Sequence, residues 1–239
     1  MLFLFTRMPT LETDRLTMRK ILPSDCADMY DYSYRPETSR YLLWSPHANP
    51  KYTKKYLSFI QSAYRNETFY DFALVDKKSG KMIGTCGFTS FDLQNNSAEI
   101  GYVLHPDFWG KGLAKEAVMR LMAFGFAELR LHRMTAKIMT GTSASKRVAE
   151  KCGMRHEATY IESMLIKGAY ETIDEYAILA KEFYGKRNHC HKYHKLVSEW
   201  VHNLTKCCHK IIFSCNLAIK HIGKCCKRIY NGRYYNSPY

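Results

Sequence analysis

The stretch HPDFWGKGLAKEA, residues 105–117, places two glycines around a lysine, and the helix-favouring run LAKEAVMRLMAFGFAEL follows from residue 113. Glycine destabilises regular structure, so two glycines at a helix start suggest that something approaches the backbone closely. A helix N-terminus leaves about four N–H groups unpaired and carries roughly half a positive charge, which suits a phosphate group. The pattern alone is equally compatible with a plain loop before a surface helix, so the flanking sequence has to decide.

Charge divides the 239-residue chain into two unequal parts. The formal net charge is +14, of which residues 1–185 contribute +4 and residues 186–239 contribute +10. The second part also holds six of the nine cysteines and six of the ten histidines. This shift predicts a domain of residues 1–185 followed by a basic extension of residues 186–239.

The chain has no run of about 18 apolar residues that could form a transmembrane helix. The N-terminus, MLFLFTRM, has an apolar run too short for a secretory signal and no basic segment before it. We therefore expect a cytoplasmic protein.

Periodicity in residues 1–185 alternates between strand and helix patterns. Strands are predicted at 11–21, 69–76, 81–91, 98–106, 131–141, 156–168 and 170–184. Helices are predicted at 23–34, 49–66, 111–128 and 142–153. Helices that interrupt a mixed sheet of about seven strands indicate an α/β or α+β fold.

Five motifs, in this order along the chain, resemble the GNAT superfamily of N-acetyltransferases. They resemble most its RimJ/RimL-type branch, which acetylates protein N-termini. The similarity covers about residues 10–184 and implies a GNAT-type, mostly antiparallel sheet with acetyl-CoA as co-substrate and no metal. The motifs are LETDRLTMRKILPSD (11–25), MIGTCGF (82–88), AEIGYVLHPDFWGKGLAKEA (98–117), TSASKRVAEKCGM (142–154) and KGAYETIDEYAIL (167–179).

The resemblance also implies where acetyl-CoA binds. In the family, the strand before Gly-x-Gly splays from its neighbour and pantetheine lies in the gap. Pantetheine amides should pair with the backbone of Val103, Leu104 and His105. Thr142 stands where the family usually has an asparagine that reaches pantetheine. The pyrophosphate should bind the N–H groups of Trp109, Gly110, Lys111, Gly112, Leu113 and Ala114.

Acetyl transfer to an amine needs a base for the ammonium proton and benefits from a proton donor to the departing thiolate. By the same resemblance, Glu99 is the candidate base, and Ser145 is the candidate donor facing the sulfur. Glu99 is otherwise a charge at a strand edge, and Ser145 an ordinary residue of a first helical turn. Glu157 and Glu162 are alternative bases.

The predicted activity is therefore direct, acetyl-CoA-dependent transfer of an acetyl group to a primary amine. A protein N-terminus is the first acceptor that the resemblance implies. A small amine, such as a polyamine or an aminoglycoside, is the alternative acceptor. A catalytically silent CoA-binding scaffold acting through its basic extension is a third possibility.

Residues 189–230 lie outside the family pattern and have apolar or cysteine residues at alternating steps of four and three, from Val197 to Ile229. This spacing predicts a long, basic amphipathic helix. Its partner could be the catalytic domain or a second copy in a homodimer, an anionic membrane with acylated cysteine pairs, or RNA and the ribosome. Zinc is a fourth alternative, although no CxxC motif is present.

Overall fold

The computed structural model describes residues 8–185. The chain divides into two units, residues 1–186 and 187–239, and the described residues all belong to the first. The predicted amphipathic helix lies outside the described residues, so nothing tests the helix or the alternatives for its partner. They stay predictions.

Eight strands form one sheet in the spatial order β1-β2-β3-β4-β5-β6-β8-β7. All neighbouring strands are antiparallel except β5 and β6, which are parallel. The predicted fold class, a mixed and mostly antiparallel sheet, is confirmed. The strands are β1 (Leu11–Glu12), β2 (Leu16–Lys20), β3 (Tyr70–Asp76), β4 (Met82–Asp92), β5 (Ser97–Leu104), β6 (Arg133–Met139), β7 (Arg155–Ile166) and β8 (Ala169–Leu179).

The sheet has one strand more than predicted because residues 11–21 fold into two strands. The Thr13 N–H donates to the Leu16 carbonyl at 2.9 Å, and the Leu16 N–H donates to Thr13 Oγ1 at 2.8 Å. These two bonds close a turn, so the single predicted strand becomes the antiparallel pair of β1 and β2. The turn contains Arg15.

Within residues 8–185, six α-helices accompany the sheet, and the four helices predicted for this part of the chain are all present. The two short ones, α2 and α6, were not predicted. The sequence predicts that residues 180–184 continue the last strand, and this prediction is wrong. The Leu179 N–H donates to the Glu182 carboxylate at 2.8 Å and starts a helical turn. The helices are α1 (Cys26–Ser33), α2 (Pro36–Ser39), α3 (Pro50–Arg65), α4 (Leu113–Ala127), α5 (Ser143–Lys151) and α6 (Ala180–Gly185).

The core lies on both faces of the sheet. On one face, α4 buries ten of its fifteen residues, and the Phe124 ring meets the rings of Phe72 and Phe88 at 6.2 and 6.4 Å. On the other face, α1 and α3 pack on the sheet through a buried cluster that includes Tyr32 and Tyr64. Burial of α4 against several strands fixes where its N-terminus begins.

The parallel pair β5 and β6 separates soon after it forms. Its ladder has three residue pairs in the described chain, Ser97–Arg133, Ala98–Met134 and Glu99–Thr135. Beyond them, β5 stays paired with β4 as far as Leu104, and β6 stays paired with β8 as far as Met139. The sheet therefore opens into a wedge, bounded by residues 100–104 on one side and 136–139 on the other.

Candidate active site

The loop at the open end of the wedge begins α4 with two left-handed glycines. Gly110 has a φ of 73° and Gly112, the N-cap residue of α4, has a φ of 77°. Residues other than glycine adopt the left-handed region only at a cost of about 1–2 kcal/mol. A Cβ at Gly110 would meet nothing within 4 Å, so its backbone angle, rather than crowding by the protein, requires glycine there.

These angles turn a row of N–H groups outward. The first helical bond of α4 runs from the Glu116 N–H to the Gly112 carbonyl, so the N–H groups of Leu113 and Ala114 precede the hydrogen-bonded part of the helix. Within residues 8–185, no protein acceptor is recorded for the N–H groups of Gly110, Lys111 or Gly112. Five of the six predicted phosphate-binding N–H groups therefore lie without a protein partner at one helix start.

The sixth group, the N–H of Trp109, donates to the Pro106 carbonyl at 3.0 Å and closes a 3-10 turn over residues 106–108. It is already used within the protein. The Lys111 ammonium lies 4.9 Å from the centre of the Phe108 ring, as a cation–π contact. The lysine side chain thus packs on its own loop.

Arg15 braces this loop from the β1–β2 turn. Its Nη1 donates to the Lys111 carbonyl at 2.9 Å, and its Nε donates to the Glu116 carboxylate at 2.7 Å. Burial acts to raise the pKa of Glu116, but hydrogen bonds from Thr13 and Arg15 outweigh it and lower that pKa. Glu116 is therefore held as a charged anchor for Arg15.

The predicted pantetheine-binding backbone is only partly open. The His105 N–H donates to the Ile83 carbonyl at 2.7 Å, and the His105 carbonyl accepts from the Phe108 N–H at 2.9 Å. The Leu104 carbonyl accepts from the indole Nε1 of Trp109 at 2.7 Å. The His105 N–H is therefore bonded to β4, and alternation along the antiparallel pair turns the Leu104 N–H away from β4, towards the wedge.

Helix α5 carries Thr142 and Ser145 to the same region. Thr142 is the N-cap residue, and its Oγ1 is buried without a hydrogen-bond partner in the described chain. Ser145 hydrogen-bonds with the Tyr102 hydroxyl, on the wedge-lining strand β5. Burial raises the pKa of Tyr102 to about 12, against a smaller lowering by Ser145, so the phenol stays protonated at neutral pH.

Glu99 lies at the last residue pair before the wedge opens. Its carboxylate forms an ion pair with Lys137 Nζ at 2.9 Å and accepts from Thr89 Oγ1 at 3.1 Å. The alternative base Glu157 is bound by both Arg133 and Arg155. These partners hold both carboxylates in place, and the hydrogen bond from Arg133 lowers the pKa of Glu157.

A family model for the acetyltransferase (GNAT) domain matches residues 15–155, more than half of the chain. The uncharacterized N-acetyltransferase p20 of Bacillus licheniformis is 31% identical over 178 residues, which cover 74% of this chain and 100% of that protein. The chain belongs to the GNAT acetyltransferase family. It is an N-acetyltransferase whose acetyl donor is acetyl-CoA.

Two solved structures share the fold of this GNAT acetyltransferase. One is the ribosomal-protein-S5-alanine acetyltransferase from Vibrio fischeri, with a TM-score of 0.64 and 23% identity over 73% of this chain and 98% of that one. The other is the spermidine N-acetyltransferase from Vibrio cholerae in complex with CoA and spermine, with a TM-score of 0.63 and 19% identity over 72% and 99%. At these identities the likeness concerns the fold alone.

The residues of this GNAT acetyltransferase fit acetyl-CoA at two points. The outward N–H groups at the start of α4 can bind a pyrophosphate, and the buried, unpartnered Thr142 Oγ1 can bind a polar group of pantetheine. Among residues 8–185, no cluster of three metal-ligating side chains occurs. No helix in that range is long and apolar enough to cross a membrane.

Two residues of this GNAT acetyltransferase escaped the sequence analysis. Arg15 belongs to a quoted motif, but its partner Glu116 is 101 positions away, so no local pattern connects them. Asp71, on β3, lies among tyrosines on the α1/α3 face of the sheet. Its only available signal was an acidic residue inside a hydrophobic strand pattern.

Proposed function

We propose that this enzyme is of the RimJ/RimL type and acetylates the α-amino group of a protein N-terminus. The observation that carries the proposal is an apolar rim, made of exposed side chains on the β7–β8 hairpin and on the segment after α2. We define this apolar rim as the exposed side chains of Tyr41, Leu43, Ile161, Leu165 and Tyr170. Exposed apolar patches of this kind mark protein interaction sites.

Two contacts hold the rim segments together. Lys167, at the tip of the β7–β8 hairpin, donates through Nζ to the Ser39 carbonyl of α2 at 2.6 Å. The Tyr41 ring lies 3.3 Å from the point where a Cβ on Gly141 would stand, and Gly141 follows β6 closely. The segment after α2 therefore borders the mouth of the wedge, where an extended peptide could lie across it.

The chemistry proposed for this site is direct transfer. The amine nitrogen forms a bond to the thioester carbonyl carbon, the carbon–sulfur bond breaks, and the sulfur leaves as a thiolate that must gain a proton. We assign that proton to Ser145, with the Tyr102 hydroxyl behind it. Glu99 is the base that the family resemblance predicts, and its carboxylate is held in an ion pair with Lys137.

The acceptor is tested with the full-length protein, by following CoA thiol release and product mass with three acceptors. These are peptides with a free N-terminus, the same peptides with a blocked N-terminus, and polyamines or aminoglycosides. We expect turnover of the free peptides alone. Turnover of small amines without turnover of peptides would replace this acceptor with the alternative one, and binding of acetyl-CoA without any turnover would favour the silent scaffold.

A rim variant sharpens this experiment. Leu43→Ser changes a side chain that is 67% exposed, so it should raise KM for the peptide several-fold without affecting acetyl-CoA binding. The matched control is Leu93→Ser, in the β4–β5 turn at the paired end of β5, where the side chain is 61% exposed. Equal effects of the two substitutions would remove the rim from the acceptor site.

A further inference from the structure

Asp71 lies on the face of the sheet that packs against α1 and α3, and its neighbours across the next two strands are glycines. It pairs with Gly87 on β4, which in turn pairs with Gly101 on the wedge-lining strand β5. The Asp71 carboxylate occupies the space that a side chain on Gly87 would need. Because adjacent strands are about 4.8 Å apart, the carboxylate reaches to within roughly one strand spacing of β5.

Tyrosines enclose this carboxylate. The Tyr64 hydroxyl donates to the Asp71 backbone carbonyl at 2.5 Å, and the phenols of Tyr32 and Tyr56 are close enough to interact electrostatically with Asp71. Tyr32 is fully buried, whereas Tyr56 is 37% exposed. We call the space bordered by Asp71 and these three tyrosines the cleft. Its Tyr32 side is closed, and its Tyr56 side reaches solvent.

The carboxylate itself has no partner within residues 8–185: no side chain there donates to it or forms an ion pair with it. Burial alone raises the pKa of Asp71 to about 7, although the residue as a whole keeps intermediate exposure. Both observations fit a carboxylate at the bottom of a cleft that water enters. A buried carboxylate without a partner is costly, and a cationic ligand would relieve that cost.

Among the described groups around this cleft, the phenols and the thiol are neutral near pH 7, Glu99 and Arg19 are paired, and the Lys20 ammonium lies 5.4 Å from the centre of the Tyr64 ring. Burial raises the pKa of the three phenols and of the Cys86 thiol, so these groups stay protonated. Glu99 is paired with Lys137, and Arg19 on β2 is paired with Asp25. Asp71 is thus the one carboxylate among the described groups of this cleft that combines near-neutral basicity with a missing partner.

We propose that Asp71, rather than Glu99, accepts the proton of the acceptor ammonium during acetyl transfer. Thr89 supports this division of roles. Its methyl carbon lies 2.8 Å from where a Cβ on Gly101 would stand, and its hydroxyl donates to Glu99. Thr89 therefore separates Asp71 from the Glu99–Lys137 pair. That ion pair holds the point where β5 and β6 part.

The proton count closes with this assignment. The acceptor enters as an ammonium, and Asp71 takes one proton from it, directly or through a water molecule in the cleft. The neutral amine then attacks the thioester carbonyl carbon, and the carbon–sulfur bond breaks. Ser145 gives its hydroxyl proton to the departing thiolate and takes the second proton from the nitrogen, so its hydroxyl is restored. Asp71 releases its proton to water before the next turnover.

The proposal rests on the proposed function only in needing an amine acceptor, so it is tested with whichever amine the wild type acetylates. kcat and kcat/KM are measured for the wild type, Asp71→Asn and Glu99→Gln across a pH range that brackets 7. We expect Asp71→Asn to lower kcat/KM by about 10²–10⁴-fold at neutral pH. In the wild type, kcat/KM should fall as the pH drops below about 7, which is the acid limb of the profile. This limb should be absent from Asp71→Asn, and the rate of that variant should recover once the pH exceeds the pKa of the acceptor ammonium.

Glu99→Gln should keep the acid limb. The proposal is overturned if Asp71→Asn retains the limb, or if Glu99→Gln alone removes it. Acetyl-CoA affinity by calorimetry should be unchanged in Asp71→Asn, which separates loss of chemistry from loss of fold.

Stability provides a second readout that does not depend on turnover. The pKa of Asp71 is raised in the folded state, so its contribution is favourable below the unfolded pKa of about 3.9 and is lost as pH rises through about 7. The Tm of Asp71→Asn should therefore rise relative to wild type between those two values and level off above them. A constant difference across this range would show that Asp71 is not desolvated, and would remove the basis of the proposal.

Discussion

Gly110 shows how much one backbone angle contributes to the candidate site. Its φ of 73° turns the loop so that neighbouring N–H groups point outward, and no protein atom would obstruct a methyl group there. Loss of that angle should disturb the N–H array, while the core of the protein would hardly be affected. The cost of the substitution should thus appear in binding.

We predict that Gly110→Ala weakens acetyl-CoA binding by about tenfold, because about 1–2 kcal/mol of strain would shift the loop. Calorimetric titration with acetyl-CoA measures this. Gly80→Ala is the matched control, since Gly80 has a φ of 71°, nothing within 4 Å of its added Cβ, and a place in the β3–β4 turn, outside the loop. Equal affinities for the two variants would contradict a role for the loop in binding.

Asp174 is a buried residue whose partners determine its charge. Lys146 Nζ lies 2.5 Å from its carboxylate, the Thr159 hydroxyl donates to it at 2.5 Å, and His156 lies at 3.2 Å. Burial acts to raise the pKa of Asp174, but these three partners outweigh it and lower the pKa to about 2. Through Lys146, the pair ties α5 to β8.

We predict that Asp174→Asn destabilises the protein by about 2 kcal/mol at neutral pH. The folded pKa is depressed, so the stabilisation is present above about pH 3.9 and is lost as pH falls through about 2. The difference between the two unfolding curves should therefore narrow as the medium is acidified. A gap that does not depend on pH would point to lost packing and not to the carboxylate charge.

At the scale of elements, the loop before α4 is held by a turn that lies 96 residues earlier in the chain. Arg15 joins β1–β2 to the start of α4 through the Lys111 carbonyl and the Glu116 carboxylate. Its side chain is 49% exposed, so the ion pair contributes little to overall stability. Its effect should be on the position of the loop.

We expect Arg15→Ala to weaken acetyl-CoA binding several-fold while Tm changes little. Arg155→Ala is the matched control, because that side chain is 46% exposed and also forms ion pairs, with the carboxylates of Glu157 and Glu182, away from the loop. If both variants bind acetyl-CoA like the wild type, the brace does not position the phosphate site.

For the whole molecule, the wedge and its loop are completed by residues 8–185, which include all eight described strands. We predict that a chain ending at Gly185 stays folded and keeps its acetyl-CoA affinity, measured by calorimetry beside the full-length protein. Aggregation of the shorter chain would instead make residues 186–239 part of the catalytic domain. The +10 charge of those residues also predicts that salt weakens any binding they add to RNA or an anionic membrane.

Local patterns in the sequence were enough to predict the four long helices and the mixed sheet. Apolar spacing indicated α3 and α4, and the glycines marked the start of α4, because helix signals extend over only a few neighbouring residues. The family motifs led to acetyl-CoA. The same local reasoning missed the break at Thr13 and the last helical turn, since side-chain hydrogen bonds decide both.

The sequence by itself therefore determined the fold class, the helix start and the acetyl donor, all of which are encoded in short or recurrent patterns. Only the tertiary structure decided which groups act together. It brought Arg15 to Glu116, used the N–H groups of His105 and Trp109 within the protein, and left the Asp71 carboxylate over Gly87 without a partner among residues 8–185. Such pairings join positions far apart along the chain, and burial, which sets the cost of an unpaired charge, exists only once the sheet has formed.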